Sequence, residues 1–322
     1  MAKLQSTEIV GVANRPATIC ANTMCIWFDT TNLKTVISYC GNVGSWSTGG
    51  SLITGRFYLA GAGTQNEGLV SGGYSNAAVS CAEEYNGTSW AVGGALATAR
   101  YRLVGGGTQN LAFVAGGYRF TAPAGAVSCT EEYNGTSWSA GGALITIRLG
   151  IAGAGSQNEG LTAGGCAGNF QSCTEEYNGT SWSSGGALIT ARTESAGTGT
   201  QNAGLIIGGY INMASLTALP CTEEYNGTSW SAGGALATAR YNFGGAGTQN
   251  AALGFGGYSL GITEEYNGTS WSNSSPLSVG RYRLAGAGTQ SAGLAIGGRL
   301  GGVSSSSTEE YIRTFTIIDS IQ

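Results

Sequence analysis

The side chains able to do chemistry recur at fixed intervals along this chain. Twelve of its 18 acidic residues form adjacent glutamate pairs followed by tyrosine, as in Glu131-Glu132-Tyr133. Six of its arginines hold one further repeated position: Arg56, Arg100, Arg148, Arg192, Arg240 and Arg281. Paired carboxylates do acid/base work only when both face one substrate, and neighbouring residues of a strand point to opposite faces. The pairs are therefore expected to be structural. A buried carboxylate is costly unless paired, and arginine offers it a bidentate match. The repeated arginines are predicted to hold glutamates between packed sheets, with Glu131 or Glu132 as the partner of Arg148.

Other reactive groups are few. The chain has no histidine and no Cys-x-x-Cys pair, which removes the usual zinc sites and the Ser/His/Asp and Cys/His nucleophile sets. Neither a metal nor a cofactor is expected, and the protein is predicted not to be an enzyme. Four of the eight cysteines, Cys81, Cys129, Cys173 and Cys221, stand two residues before the first glutamate of a pair. Equivalent positions of successive repeats lie too far apart for a disulfide, which needs Cα atoms within about 7 Å, so these are expected to be small buried hydrophobes. Cys166 with Cys173, and Cys20, Cys25 and Cys40 among themselves, are the candidate bridges.

The elements that position these residues follow from the repeat. Tryptophans at Trp46, Trp90, Trp138, Trp182, Trp230 and Trp271 set a period of 41 to 48 residues, the range of propeller blades. No stretch carries apolar residues at helical spacing over three turns, and glycine and turn signals abound. One unit divides into four strands: a (149–156), b (160–165), c (172–177) and d (180–184). The Asn-Gly between c and d predicts a hairpin closed by a type I′ turn. Strand a is built of glycine and alanine, as only small side chains fit where strands crowd about a central axis, whereas the tyrosine of strand c and the tryptophan of strand d are predicted to fill the space between blades.

The predicted fold is a closed all-β propeller with four antiparallel strands per blade. Seven blades of 46 residues account for the 322-residue length. Residues 1–50 then supply a divergent first blade, with strands at 7–13, 24–29, 34–39 and 45–48, and residues 51–322 supply six repeats, the tail at 308–318 giving strands c and d of the last. The alternative is a six-bladed ring whose last blade is closed by the N-terminal hairpin, or from which that hairpin projects as an arm.

Composition narrows the function. Net charge is −4 with only two lysines, so no basic face exists for nucleic acid. No run of 18 apolar residues predicts membrane insertion. The N-terminus lacks the basic and apolar blocks of a secretory signal, so synthesis in the cytoplasm is expected, with release by lysis if the protein reaches the exterior. Asn86, Asn134, Asn178, Asn226 and Asn267 each begin an Asn-Gly-Thr sequon, which the hairpin turn already explains.

Glycine pairs closing strand b (Gly116-Gly117), Glu131-Glu132-Tyr133 on strand c, Trp138 opening strand d and Arg148 before the next strand a together resemble the kelch repeat, over about Ser38 to Tyr311. The resemblance implies a propeller. It leaves function open, since kelch propellers include copper oxidases, recognition platforms and structural proteins. The copper oxidases of that family use histidine and tyrosine ligands with a crosslinked cysteine, and a chain without histidine departs from that pattern. At the N-terminus, CIWFDTTNLKTVISYCGNVGSW (Cys25 to Trp46) resembles a hairpin unit of bacteriophage tail and virion proteins, and the NGTSW, GGAL and AGTQ motifs are similar to kelch-type phage proteins.

These likenesses imply a non-enzymatic virion structural or appendage protein, present in multiple copies, acting in particle architecture or host attachment, with other virion proteins and a host-surface glycan or protein as partners. The alternatives are a cytoplasmic kelch-type interaction scaffold and, more weakly, a carbohydrate-active enzyme. Contact is expected on the face that carries the b-to-c loops, because loops on a rigid scaffold are where recognition usually resides and aromatic and arginine side chains are favoured anchors. Its candidates are Tyr118, Arg119, Phe120, Asn169, Phe170, Tyr210, Asn212, Met213 and Arg299. The opposite face, with its repeated Thr-Gln-Asn and Asn-Gly-Thr turns, is nearly uniform.

Overall fold

The computed structural model describes residues 10–12, 24–29, 34–122, 124–212, 214–258 and 260–321. They fall into two compact units, one drawn from residues 1–45 and 313–322 and the other spanning Trp46–Ile312. In the first unit, Val10–Val12 runs parallel to Met24–Asp29. That strand pairs antiparallel with the following one, Asp29 opposite Lys34 and Met24 opposite Tyr39.

The second unit is a β-propeller of six blades. Blade I consists of Ala60–Gly63 (a), Gly68–Ser71 (b), Ala82–Tyr85 (c) and Trp90–Val92 (d), in that order and antiparallel throughout. Blades II to V repeat it from Val104, Ala152, Ala196 and Gly244. Blade VI takes strand a from Ala285–Gly288, b from Ala292–Ile296, c from residues 308–312 and d from residues 46–48. The Gly49 N–H donates to the Thr308 carbonyl at 2.9 Å where this last pair ends.

Six blades, not seven, is the count. Dividing 322 by 46 misleads because the repeat fills only Trp46–Ile312. No Trp-bearing strand d follows strand c of blade VI, which would leave an open edge of unpaired N–H and C=O groups. Residues 46–48 occupy that edge, so they belong to blade VI rather than to a divergent first blade, and the tail supplies blade VI with strand c but not d.

Strand a of each blade lies beside strand a of the next, and that of blade VI lies beside that of blade I, so the six enclose the axis. A Cβ on Gly61 would meet the Gly286 carbonyl oxygen of the neighbouring strand at 2.7 Å, which is why this strand is restricted to the smallest residues. Farther out, each tyrosine of strand c packs on the tryptophan of strand d, as in Tyr85 and Trp90 with ring centroids 4.8 Å apart. Trp90 Nε1 donates across the blade boundary to Thr308 Oγ1 at 3.0 Å, and Trp182, Trp230, Trp271 and Trp46 make the same bond to Thr130, Thr174, Thr222 and Thr263. Trp138 differs because blade I has Ala82 at the threonine position, and it donates to the Gly94 carbonyl instead.

The six repeated arginines are almost completely buried. Each pairs with the first glutamate of strand c in the blade that it introduces: Arg56 with Glu83 at 2.7 Å, Arg100 with Glu131 at 3.1 Å, Arg148 with Glu175 at 2.9 Å, Arg192 with Glu223, Arg240 with Glu264 at 3.2 Å and Arg281 with Glu309. The partner of Arg148 is thus Glu175, one blade later than Glu131 or Glu132, because the arginine lies in the d-to-a connection and reaches forward into its own sheet. The carboxylates also accept backbone N–H groups of the same connection, Ile145 and Thr146 to Glu175 at 2.7 and 3.1 Å.

The repeated cysteines are half-buried rather than core, and Cys81 Sγ accepts from Arg56 at 2.8 Å. Cys166 and Cys173 are free thiols, so the bridge considered between them is not formed. Cys20 lies outside the described residues, and so do the side chains of Cys25 and Cys40.

The hairpin between c and d is also not the expected two-residue turn. Tyr85 pairs with Trp90, which leaves a four-residue loop. Only Gly87 in it has a positive φ, and Asn86 Oδ1 accepts the N–H groups of Thr88 and Ser89 at 3.0 and 2.8 Å. Asparagine here serves as a side-chain cap.

Candidate binding face

Behind strand b the paired glycines turn the chain onto one face of the disc, where among the described residues four b-to-c connections form two-stranded ribbons: Tyr74–Ser75 with Ala77–Ala78, Tyr118–Arg119 with Gly125–Ala126, Cys166–Ala167 with Asn169–Phe170, and Arg299–Leu300 with Val303–Ser304. The d-to-a connections meet the b-to-c connections edge to edge, Phe57 bridging Tyr74, Tyr101 bridging Tyr118, Leu149 bridging Cys166, Thr193 bridging Tyr210 and Tyr282 bridging Arg299.

Most of the sequence candidates therefore share this face. Tyr118, Arg119, Phe170 and Arg299 are partly exposed, and Phe120, Asn169 and Asn212 are exposed. Tyr210 is buried, and Met213 lies outside the described residues. Asn212 Oδ1 caps its own loop by accepting from Ala214 and Ser215. Arg299 lies over the Phe57 ring and donates to the Gly302 carbonyl at 3.0 Å. It also lines a groove of about 690 Å³ shared with Phe57, Tyr74, Asn76 and Val303.

Aromatic side chains gather unevenly on the face. Phe57, Tyr74, Tyr101, Tyr118 and Phe120 form one connected cluster with centroids 5.3 to 6.0 Å apart. Phe120, at its outer end, is 54% exposed. A second group joins Phe170, Tyr210, Tyr241 and Tyr258.

At the centre lies a feature that composition did not reveal. The residues two places after the repeated arginines are Tyr58, Arg102, Gly150, Glu194, Asn242 and Arg283, and all six have φ between 55° and 64°. Each donates its N–H to the carbonyl of the preceding member: Arg102 to Tyr58, Gly150 to Arg102, Glu194 to Gly150, Asn242 to Glu194, Arg283 to Asn242, and Tyr58 to Arg283, at 2.7 to 3.0 Å. This closed ring of amides girdles the mouth of the axis. The signal was available as a non-repeated residue at a fixed offset from each repeated arginine, but only the ring geometry gives it meaning.

The side chains of this ring line a cavity of about 100 Å³, with Leu59, Leu103, Ile151, Phe243 and Leu284 beneath. Arg102 Nε pairs with Glu194 Oε1 at 2.8 Å, and the Arg102 guanidinium donates to the Tyr58 hydroxyl at 2.9 Å. Arg283 stacks on Tyr58 and Tyr282, 4.4 and 5.0 Å from their centroids. Burial raises the Glu194 carboxyl above its ordinary 4.5, against the pull of Arg102 and then Arg283. Burial and Glu194 together push the Tyr58 hydroxyl up. Among the described residues no three histidine, cysteine or acidic side chains gather as a metal cluster would.

The opposite face has its polar groups engaged in holding the blades together. Gln109 Nε2 donates to the carbonyls of Gly68 and Tyr85 in the preceding blade at 3.1 and 2.7 Å. Gln65, Gln157, Gln201, Gln249 and Gln290 repeat the staple. Uniformity there has a structural cause.

The class defined by these sheets is a six-bladed, four-stranded β-propeller with one differentiated face. No family model matches the chain, and no curated protein matches it.

Proposed function

We propose that this protein is a non-enzymatic recognition propeller, kelch-like in its repeat, that serves as an appendage of a phage-type particle and contacts the host surface with its b-to-c loop face. The observation that carries the reading is the asymmetry of the two faces. One repeats the same glutamine staples and asparagine caps. The other replaces repetition with an aromatic terrace, from Phe57 to Phe120, beside a polar axial mouth. Aromatic side chains give large contact area at low entropic cost, and a rigid scaffold limits the ordering penalty on binding. The kelch and phage likenesses of the motifs supply the biological setting.

The test is a triple substitution, Tyr118, Phe120 and Phe170 to serine, introduced into particles that carry the protein. Reduced host adsorption with normal assembly and an unchanged melting temperature is the expected result. Wild-type adsorption by assembled particles would reject the loop face as the contact surface.

A further inference from the structure

Four of the six residues in the axial amide ring, Tyr58, Arg102, Glu194 and Arg283, carry large side chains in the left-handed region, which glycine and asparagine adopt more readily than other residues. Gly150 shows that the ring bond itself needs no side chain, since its N–H and carbonyl take part like the others. The strain at Tyr58, Arg102, Glu194 and Arg283 therefore accompanies side chains that the ring does not require, and clustered strain of this kind marks functional positions.

All six backbone N–H groups and carbonyls are used within the ring, so recognition in the cavity falls to the side chains. Two arginines face one glutamate. Arg102 is neutralised by Glu194, whereas Arg283 makes no salt bridge among the described residues, and its buried Nε has no acceptor. Asn242 is only 7% exposed and its Oδ1 has no donor, although it lines the same cavity. A buried polar atom without a partner is costly. The cavity thus offers a cationic fork and an acceptor that needs a hydroxyl or N–H, in a space that holds several waters.

We infer that the axial cavity is a binding site for the carboxylate end of an acidic sugar residue, with Arg283 binding the carboxylate and Asn242 accepting from an adjacent hydroxyl. The guanidinium lies over the Tyr58 and Tyr282 rings, and its planar fork of donors is the geometry that a carboxylate matches. The sugars that follow lie across the aromatic terrace. This inference rests on the host-surface reading above and names the chemistry of the ligand.

The purified protein is titrated with the methyl glycosides of glucuronic acid and N-acetylneuraminic acid, with neutral methyl glucoside and with an acetylated dipeptide bearing a free C-terminal carboxylate, each followed by NMR. Binding of at least one acidic glycoside, weakened by salt and well above that of the glucoside and the dipeptide, is expected. Arg283→Gly should weaken it about tenfold or more and leave the melting temperature unchanged or higher, because glycine suits φ 60°. Asn242→Gly should weaken it by a smaller factor. Equal binding of the glucoside or dipeptide, or undiminished binding by Arg283→Gly, would overturn the assignment. So would a drop in melting temperature in that variant, which would make Arg283 a structural member of the hub. Failure here together with lost adsorption in the loop-face triple variant would remove the sugar site and leave the attachment reading standing. Success here with normal adsorption would do the reverse.

Discussion

The hydroxyl of Tyr85 in blade I donates to Glu310 Oε1 in blade VI at 2.6 Å, across the seam where the first and last blades meet. Every other boundary has the same bond: Tyr133 to Glu84, Tyr177 to Glu132, Tyr225 to Glu176, Tyr266 to Glu224 and Tyr311 to Glu265. The two adjacent glutamates thus divide their roles by the alternation of the strand. The first points to the arginine of its own blade, and the second points to the tyrosine of the next.

Replacing Tyr85 with phenylalanine should lower stability by about 1.5 to 3 kcal/mol, the range for loss of a hydrogen bond to a charged group. Tyr177→Phe should cost about as much, since the seam is bonded like the internal boundaries. Urea unfolding midpoints of the two variants give the comparison. A much smaller loss for Tyr85→Phe would mean that the seam is already open.

Alkaline pH acts on the same bonds. Burial and the hydrogen bond to glutamate push Tyr85, Tyr177 and Tyr225 up to about 12 and raise Tyr133 and Tyr266 in the same direction. A native tyrosine that holds its proton above pH 10 favours the folded state below that pH, and the contribution is lost as pH climbs from 10 towards 12. The expected outcome is a steep fall in melting temperature over that window, with phenolate absorbance rising together with unfolding. Ionisation of these interblade tyrosines near pH 10 in the intact fold, read as the difference in phenolate absorbance between the protein and its Tyr85→Phe and Tyr177→Phe variants, would contradict it.

How far the sequence disclosed this molecule depends on which residues are considered. The tryptophan period, the Gly/Ala strands and the Tyr/Trp pairs led to the propeller because they are local patterns repeated in place. The blade count did not follow, since strand d of blade VI lies more than 260 residues from its strand c and no local signal records that pairing. The Asn-Gly loop misled because asparagine acts there through its side chain rather than through positive φ. Tyr118, Phe120, Asn169 and Arg299 stand out in the sequence by their departure from the repeat, and they lie in b-to-c connections of the structure. The axial ring went unseen because Tyr58, Gly150, Glu194 and Arg283 share no chemistry, only a backbone conformation.

Arg148→Ala should destabilise the propeller by about 3 to 5 kcal/mol, because Glu175 remains buried without its cation. Adding Glu175→Gln should recover part of that loss. The neutral amide removes the buried charge while its oxygen still accepts one of the N–H groups of Ile145 and Thr146. Chemical unfolding of the single and double variants measures both steps. A double variant no better than Arg148→Ala would show that the arginine acts by filling space rather than by charge.

The exception at Trp138 offers a stabilising change. In the five other blades the threonine opening strand c is buried and accepts from the indole of the next blade, as Thr130 does from Trp182 at 2.9 Å. Ala82 occupies this place in blade I, buried in the same cluster as Trp138, which is less deeply buried than Trp90 or Trp182. Ala82→Thr supplies the missing oxygen at a position whose strand geometry already accommodates threonine elsewhere, and β-branched residues suit strands. A gain of about 0.5 to 1 kcal/mol is expected, the size of one net hydrogen bond, read as a higher urea midpoint with an unchanged slope. A lower midpoint would show that blades I and II meet too closely for the added methyl and hydroxyl groups, so that the alanine is there for packing.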